Sequence, residues 1–343
     1  MMKIAANTHA GPMLPGAAAE DHPILRRHRL GALELLPWIA ALAVFYLAPG
    51  YLALGTQVLI MVLFALSLDL LLGYAGIVTL GHAVYFGIGA YTAGILSVHL
   101  ELQEPLTGLL AAGALAGGIG LVTAAIILRT KGLTFLMLTL TILLMVAEGA
   151  NKASFLTGGA DGLQGISIDP VLGLFRFDMF GRTGYLYALA VLFVLFVFVR
   201  TLTFSAYGRS LIGIRENAAR MEAVGAPVRL RLISVYGITA AIAGVAGALN
   251  TQTTQFVALN VLSFELTGAV LTMIILGGTG RLYGAFVGAP LYMIAQDYLA
   301  RLDPTYWFFW IGALLIIVVM FARGGVLGLI DRAAGILPGV REQ

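Results

Sequence analysis

Long apolar runs, separated by short polar segments, occupy most of the chain. A straight helix across a bilayer needs roughly 17 to 25 mainly apolar residues, and several runs reach that length. The pattern predicts an all-α, polytopic integral membrane protein with about ten transmembrane helices. The runs cover residues 35–53, 58–72, 80–98, 106–128, 133–147, 185–199, 232–249, 266–276, 282–294 and 306–321.

The eighth and ninth runs are too short for a straight crossing. They contain 11 and 13 residues and are separated by the glycine-rich segment GGTGR. If residues 266–294 form a re-entrant pair, the chain enters and leaves on the same side, and the number of crossings falls to eight. Both alternatives remain open from the sequence.

Basic residues are distributed unevenly between the polar segments. With the N-terminus in the cytoplasm and one crossing per run, 16 of the 20 Lys and Arg residues lie inside, as the positive-inside rule requires. We therefore expect both termini in the cytoplasm. The predicted regions are an N-terminal tail (1–33), a transmembrane domain (34–323) with an extracytoplasmic loop (151–183) and a cytoplasmic segment (201–231), and a C-terminal tail (324–343).

The composition supports a membrane location. The 343 residues are 60% hydrophobic and 11% charged, with a mean hydropathy of +0.96, whereas a soluble domain has about 25% charged residues. The net charge of +3 is small, and the arginines lie in short clusters, so we expect no nucleic-acid partner. The chain has no cysteine, which excludes a disulfide framework and a thiolate metal site.

Common enzyme motifs are missing. No glycine precedes a lysine, so a phosphate-binding GxxxxGK[ST] loop is impossible, and the HExxH and GxSxG patterns are absent. We therefore expect no catalytic residue and no cofactor. The carboxylates Asp69, Glu148, Glu265 and Asp297 lie toward the ends of apolar runs. This position favours a structural or snorkelling role for each carboxylate over a role in a proton relay near the midplane.

The segment GYAGIVTLGHAVYFGIGAY (73–91) combines glycines, aromatic residues and one histidine within apolar flanks. Its glycines, and those of LGGTG (276–280), favour broken or closely packed helices that line a transport path or contact a neighbouring helix. LGGTG resembles LGYAG (72–76), which indicates an internal repeat or a chance match. The candidates for the pathway or for tight helix packing are Gly73, Gly76, Gly81, His82, Tyr85, Phe86, Gly87, Gly89, Tyr91, Gly277, Gly278 and Gly280.

His82 could in principle bind a metal or transfer a proton. However, no cysteine or paired acid is near it in sequence, and His99 lies at the opposite end of the same apolar run. We therefore interpret His82 as a hydrogen-bonded residue at a helix end, and we predict no metal site.

Residues 201–231 form the largest basic block. Within residues 204–232, the stretch 208–224 carries the pattern of one or two short amphipathic helices. Gly225 is suited to cap the last helix, and Pro227 prevents its continuation. The block is either a basic loop on anionic headgroups or a docking helix for a soluble partner. The candidate coupling residues are Arg209, Arg215, Glu216, Glu222, Ala223 and Gly225.

Three blocks, 72–96, 207–232 and 271–291, resemble the membrane permeases of branched-chain amino acid ABC transporters, with the M-type subunit most similar. The resemblance implies an ABC importer permease fold in a bacterial-type inner membrane. Glu222, Ala223 and Gly225 match a degenerate form of the importer signature that docks on the ATPase. The expected partners are a related second permease, two cytoplasmic ATPases that bind the ATP, an extracytoplasmic solute-binding protein and membrane lipid.

The resemblance also implies a weakly selective, apolar pathway, because the binding protein discriminates between solutes. Branched-chain amino acids are the favoured cargo, and urea, short amides or another small polar solute are the alternative. An ion-coupled secondary transporter is a different class, and an intramembrane enzyme is a third. The lack of midplane acids counts against the ion-coupled transporter. The lack of a nucleophile–base pair or metal cluster counts against the intramembrane enzyme.

Overall fold

The computed structural model describes residues 35–170, 173, 175, 181–321 and 324–328. Helices dominate these residues, and an isolated antiparallel bridge pairs Leu163 with Val257. The helices are α1 (Leu36–Leu47), α2 (Leu52–Asp69), α3 (Ala83–His99), α4 (Pro105–Ile127), α5 (Gly132–Lys152), α6 (Ser154–Thr157), α7 (Arg182–Phe204), α8 (Ala206–Glu216), α9 (Ala218–Ala223), α10 (Val228–Thr254), α11 (Phe264–Gly277), α12 (Gly284–Leu302) and α13 (Trp307–Phe321).

Each predicted apolar run coincides with a helix, so the expectation of an all-α, polytopic membrane protein is confirmed. Within the part of the chain that the structure describes, five helical segments are long and apolar enough to cross a membrane, and the shorter apolar helices include α1, α3 and α11. The number of crossings stays a prediction. The predicted tail 1–33 and residues 329–343 lie outside the described residues. The five long segments are Pro49–Tyr74, Pro105–Ile127, Gly132–Lys152, Arg182–Phe204 and Val228–Thr254.

The longest helix, α10, packs mainly against α3 and α4. Small residues make this close approach possible, since a Cβ atom on Gly244 would lie 2.8 Å from the Ala112 carbonyl oxygen. A Cβ atom on Gly89 of α3 would overlap the backbone of Gly244 from the other side. Membrane helices commonly associate through such small-residue surfaces, and here α10 uses them to hold the neighbouring helices in contact.

The two short runs become the antiparallel hairpin α11–α12. Gly284 and Gly288 of α12 lie against the backbones of Gly277 and Met273 of α11. The turn between them contains Gly278 and Gly280, both with positive φ angles, 111° and 73°. At 1.5 Å per residue, the 14-residue α11 is about 21 Å long, which is shorter than the bilayer's hydrocarbon core of about 30 Å.

Candidate functional site

The turn after α2 and the turn between α11 and α12 meet at a buried carboxylate. Asp69 is only 1% exposed, and its Oδ1 atom accepts a hydrogen bond from the backbone N–H of Gly280 at 2.8 Å. Gly73 packs directly against Gly280, because a Cβ atom on Gly73 would lie 2.5 Å from the Gly280 nitrogen. Of the structural and snorkelling roles predicted for Asp69, the burial supports the structural one, since the carboxylate joins two turns that are distant in sequence.

An arginine from the cytoplasmic segment completes this cluster. Arg215 lies in the last turn of α8, and its Nη1 atom donates a hydrogen bond to the carbonyl oxygen of Gly73. The Arg215 guanidinium also interacts electrostatically with the Asp69 carboxylate. We call Asp69, Gly73, Arg215 and Gly280 the glycine node, in which one cation and one carboxylate connect α8 to both turns.

The other predicted glycines of these turns pack around the node. A Cβ atom on Gly76, whose φ angle is +72°, would lie 2.8 Å from Cγ of Arg215, so only glycine leaves room for the arginine side chain. Gly277 and Gly278 contact the backbone of a later segment, because a Cβ atom on Gly325 would lie 2.7 Å from the Gly277 carbonyl carbon. The sequence segments LGYAG and LGGTG therefore meet in space, through the contact between Gly73 and Gly280.

A π-helical turn (Leu70–Tyr74) continues α2, and a non-helical stretch (75–82) then leads to α3. As a result, α3 begins beside α2 instead of at its end. At this start, threonine hydroxyl groups from two other helices accept hydrogen bonds from backbone N–H groups that the helix itself leaves unpaired. Thr139 of α5 accepts a hydrogen bond from Leu80, and Thr267 of α11 accepts one from Ala83, each at 3.2 Å. Gly81 lies directly against the Thr139 carbonyl group. These contacts satisfy the donors that a broken helix exposes inside a membrane.

His82 immediately precedes α3 and is completely buried. Its ring stacks on Phe64 with a centroid separation of 5.5 Å, and Nε2 lies 2.9 Å from Oγ of Ser67. Because the Ser67 hydroxyl donates its own hydrogen bond to the Phe64 carbonyl, the tautomer that satisfies this contact has the hydrogen on Nε2, and Nε2–H donates a hydrogen bond to Oγ of Ser67. Nδ1 has no hydrogen-bond partner, and the described residues contain no group of three or more His, Asp or Glu side chains that could hold a metal ion.

The remaining candidates on α3 are buried side chains and small packing residues. Tyr85 bonds the Thr123 hydroxyl at 2.6 Å, whereas the buried hydroxyl of Tyr91 has no partner among the described residues. Phe86 packs on Phe64 and also lines a cavity described below. Gly87 and Gly89 face neighbouring elements, and they lie against Leu262 and Gly244, respectively.

The predicted cytoplasmic segment forms two helices with well-defined ends. The side chain of Ser205 accepts bonds from the first N–H groups of α8, and Asn217 caps α9 through the N–H of Arg220 at 2.9 Å. After α9, Gly225 adopts a φ angle of +88° and bonds the Glu222 carbonyl at 2.9 Å. Ala226 bonds the Met221 carbonyl at 2.9 Å, so the two bonds form a Schellman cap.

The surface of this segment is open to a partner. Every residue of α9 is at least partly exposed, and nothing lies within 4 Å of the Cβ position of Gly225. In contrast, Tyr207 anchors α8 to α10 through the Ser234 hydroxyl at 2.6 Å, and burial raises the pKa of the Tyr207 phenol. The other exposed candidates are Arg209, Glu216, Glu222 and Ala223.

A cavity of about 400 Å³ lies between α2, α3, α10, α11, α12 and α13. Its wall contains four side-chain amides together with Ser263, Glu265 and Tyr292, and Phe86 belongs to it as well. We did not predict the amides as site residues, although single Asn and Gln residues within or beside apolar runs were a usable signal. The four amide residues are Gln57, Asn250, Asn260 and Gln296.

Comparison with known proteins identifies the family. Residues 50–320 match the family described as branched-chain amino acid transport system permease components. A high-affinity branched-chain amino acid transport system permease protein, LivM, from Salmonella typhimurium is 26% identical, over 95% of this chain and 81% of the relative. LivM of Escherichia coli is also 26% identical, over 82% of this chain and 71% of the relative.

Relatives with other names also match. The autoinducer 2 import system permease protein LsrC of Enterobacter sp. strain 638 is 27% identical, over 85% of this chain and 86% of the relative. No solved structure matches the chain. Because the family match covers most of the sequence and the helices agree with it, the chain is a membrane transport component and belongs to the family of branched-chain amino acid transport system permease components.

Proposed function

We propose that the chain is the transmembrane permease subunit of an ATP-driven importer of branched-chain amino acids that works by alternating access. The proposed assembly contains a second permease, two cytoplasmic ATPases that bind the ATP, and an extracytoplasmic solute-binding protein. Both termini lie in the cytoplasm of a cell with a bacterial-type inner membrane. The LivM relatives support this cargo, whereas the LsrC relative is a reason to test other solutes as well.

The observation that carries the proposal is the bond from Arg215 to the Gly73 carbonyl. Arg215 lies three residues before the start of α9, so a partner that moves α9 also moves the arginine. Movement of Arg215 would change the contacts of both glycine turns, because Asp69 and Gly280 belong to the same cluster. The ATPases would thereby alter the packing of α2, α11 and α12, and the permease itself performs no chemistry on the solute.

The docking role of α9 is tested with a bulky residue at its exposed cap. In the assembled transporter, Gly225→Trp should abolish the ATPase activity that the loaded binding protein stimulates. Gly132→Trp is a matched control, because Gly132 also has a positive φ angle, +62°, and also has nothing within 4 Å of its Cβ position. Equal stimulation in both variants would exclude docking at α9.

The cargo is tested separately by uptake into proteoliposomes that contain the complete assembly. Labelled leucine should accumulate only with ATP and the ATPase subunits, and unlabelled isoleucine or valine should compete, whereas urea and acetamide should not. Competition by the amides alone would assign the alternative cargo. Accumulation without the ATPase subunits would indicate an ion-coupled transporter.

A further inference from the structure

The cavity between α2, α3, α10, α11, α12 and α13 has an uneven charge distribution. Among the described residues that line it, Glu265 is the only charged one, and they include no lysine, arginine or histidine. Side-chain amides supply carbonyl oxygens, and Trp307, whose ring stacks on Phe308, also belongs to the lining. This wall differs from the apolar, weakly selective pathway expected from the sequence.

The carboxylate of Glu265 is available to a solute. The residue is exposed, and no hydrogen bond or ion pair of its side chain occurs within the described residues. Its position in the first turn of α11 is favourable for a negative charge, because the helix N-terminus is partly positive. Ser263 already caps this helix through the N–H of Leu266 at 3.1 Å, so Glu265 is not needed as the cap.

The cavity lies far from the glycine node along the same helices. On α2, Gln57 precedes Asp69 by 12 positions, which corresponds to about 18 Å of helix. Asn250 and Gln296 likewise lie toward the ends of α10 and α12, on the side opposite α8 and α9. In the predicted orientation this is the extracytoplasmic half, where a solute would enter.

The lining also contains an apolar part. Three methionines, Met61, Met273 and Met293, face the same space as the amides and the carboxylate. Methionine is flexible and polarisable, so it adapts to apolar groups of different shapes. A volume of about 400 Å³ falls within the range of roughly 300 to 1,000 Å³ that is typical of small-molecule sites.

We infer that this cavity is a charge-selective site for small solutes that carry an ammonium group and an apolar side chain, with Glu265 as the residue that determines the selectivity. The carboxylate attracts the ammonium group, the amides bond the remaining polar atoms, and the methionines contact the apolar part. The inference deepens the proposed function, because it assigns part of the discrimination to the permease as well as to the binding protein.

The absence of cysteine from the natural chain provides a direct test on the purified permease in lipid nanodiscs. Gln57→Cys places a single thiol in the cavity, and Gln164→Cys places one in an exposed loop as the matched reference. Each variant is labelled with a trimethylammonium and with a sulfonate methanethiosulfonate reagent. Relative to the reference, the cavity thiol should prefer the cationic reagent about tenfold, because Glu265 attracts one reagent and repels the other.

Glu265→Gln in the same background should reduce this preference to that of the reference, whereas Glu265→Asp should retain it. Leucine at millimolar concentration should protect the cavity thiol, and 4-methylpentanoate, which has the same carbon chain without the ammonium group, should not. An unreactive cavity thiol, an equal reagent ratio at both positions, or a preference that survives Glu265→Gln would overturn the inference.

The labelling experiment requires neither ATPase nor binding protein. A cationic preference in a permease that fails to couple to ATPases would refute the proposed function and leave the site intact. Loss of the preference in a permease that transports leucine normally would refute only the site.

Discussion

The Oδ1 atom of Asp69 accepts a hydrogen bond of 2.8 Å from the backbone N–H of Gly280, which is 211 positions later in the chain. A buried carboxylate in α2 therefore holds the turn of the α11–α12 hairpin. Arg215, from the segment proposed to contact the ATPase, donates to the carbonyl of Gly73 in the same cluster. This arrangement connects the docking segment directly to the turn that follows α2 and to the turn between α11 and α12.

Replacement of the carboxylate should reveal the contribution of the node to stability. Asp69→Ala removes the acceptor of the Gly280 N–H, and an unpaired buried donor costs about 1–3 kcal/mol. Asp69→Asn keeps a carbonyl oxygen in the same place and should retain most of the stability. The measurement is the free energy of unfolding of the purified permease in detergent.

Asp297→Asn is the control for this experiment, because Asp297 pairs with Arg301 at the surface, with exposed side-chain fractions of 37% and 65%. Such exposed pairs contribute about 0–1 kcal/mol. If Asp69→Ala were as stable as Asp297→Asn, the bond to Gly280 would have no role in holding the turn.

A change at Arg215 should separate ATP hydrolysis from transport. Arg215→Lys loses the planar guanidinium that contacts the Gly73 carbonyl and faces the carboxylate of Asp69. We expect a several-fold loss of leucine uptake for each ATP hydrolysed by the assembled transporter. Arg129→Lys, at an exposed position before α5 that is not among the candidate coupling residues, should leave this ratio unchanged. Equal ratios in the two variants would show that the node does not transmit movement.

A methyl group at Gly89 should disrupt the contact between α3 and α10. The Cβ atom of Gly89→Ala would overlap the Gly244 carbonyl, and overpacking of this kind costs about 1–3 kcal/mol. Gly118→Ala on α4 is the matched control, since nothing lies within 4 Å of its Cβ position. That change should be neutral or stabilise the helix by about 0.5–1 kcal/mol. Thermal unfolding of both variants would measure the difference, and similar midpoints would contradict the close approach.

The hydroxyl of Thr267 should be required for the start of α3. Thr267→Val keeps the shape but removes the acceptor of the Ala83 N–H, at a cost of about 1–3 kcal/mol. Hydrogen exchange at the first turn of α3 should become faster, together with a decrease in the unfolding free energy. Thr141→Val, whose exposed hydroxyl bonds only the Met137 carbonyl of its own helix, should change neither quantity. Unchanged exchange in Thr267→Val would mean that another group caps this helix.

The helices could be predicted from the sequence because each one satisfies a local requirement. Backbone donors and acceptors inside a membrane must be paired within the segment, so a long apolar run has few alternatives to a helix. The cap of α9 was also visible, because Gly225 is suited to the left-handed conformation that it adopts. The three blocks, in their order, were sufficient to indicate the family.

A structural role was among the predictions for Asp69, but its partner could not be predicted, because Gly280 lies 211 positions away. In sequence the residue lies near the end of an apolar run, where a carboxylate can reach headgroups. Only the packing of the α11–α12 turn against α2 removes it from water. The cavity amides were missed for a related reason, since Gln57 and Gln296 converge only when α2 and α12 pack together.

By itself, then, the sequence determined the all-α membrane class, the positions of the helices, the likeness to a transport family and the form of the α8–α9 segment. These properties depend on composition, period and residues close together in the chain. The tertiary structure decided that Arg215 contacts Gly73, that threonines from α5 and α11 cap the start of α3, and that Glu265 faces a cavity with amides. Such contacts join residues from distant helices, and helix packing, which no local pattern encodes, is the physical reason that they form.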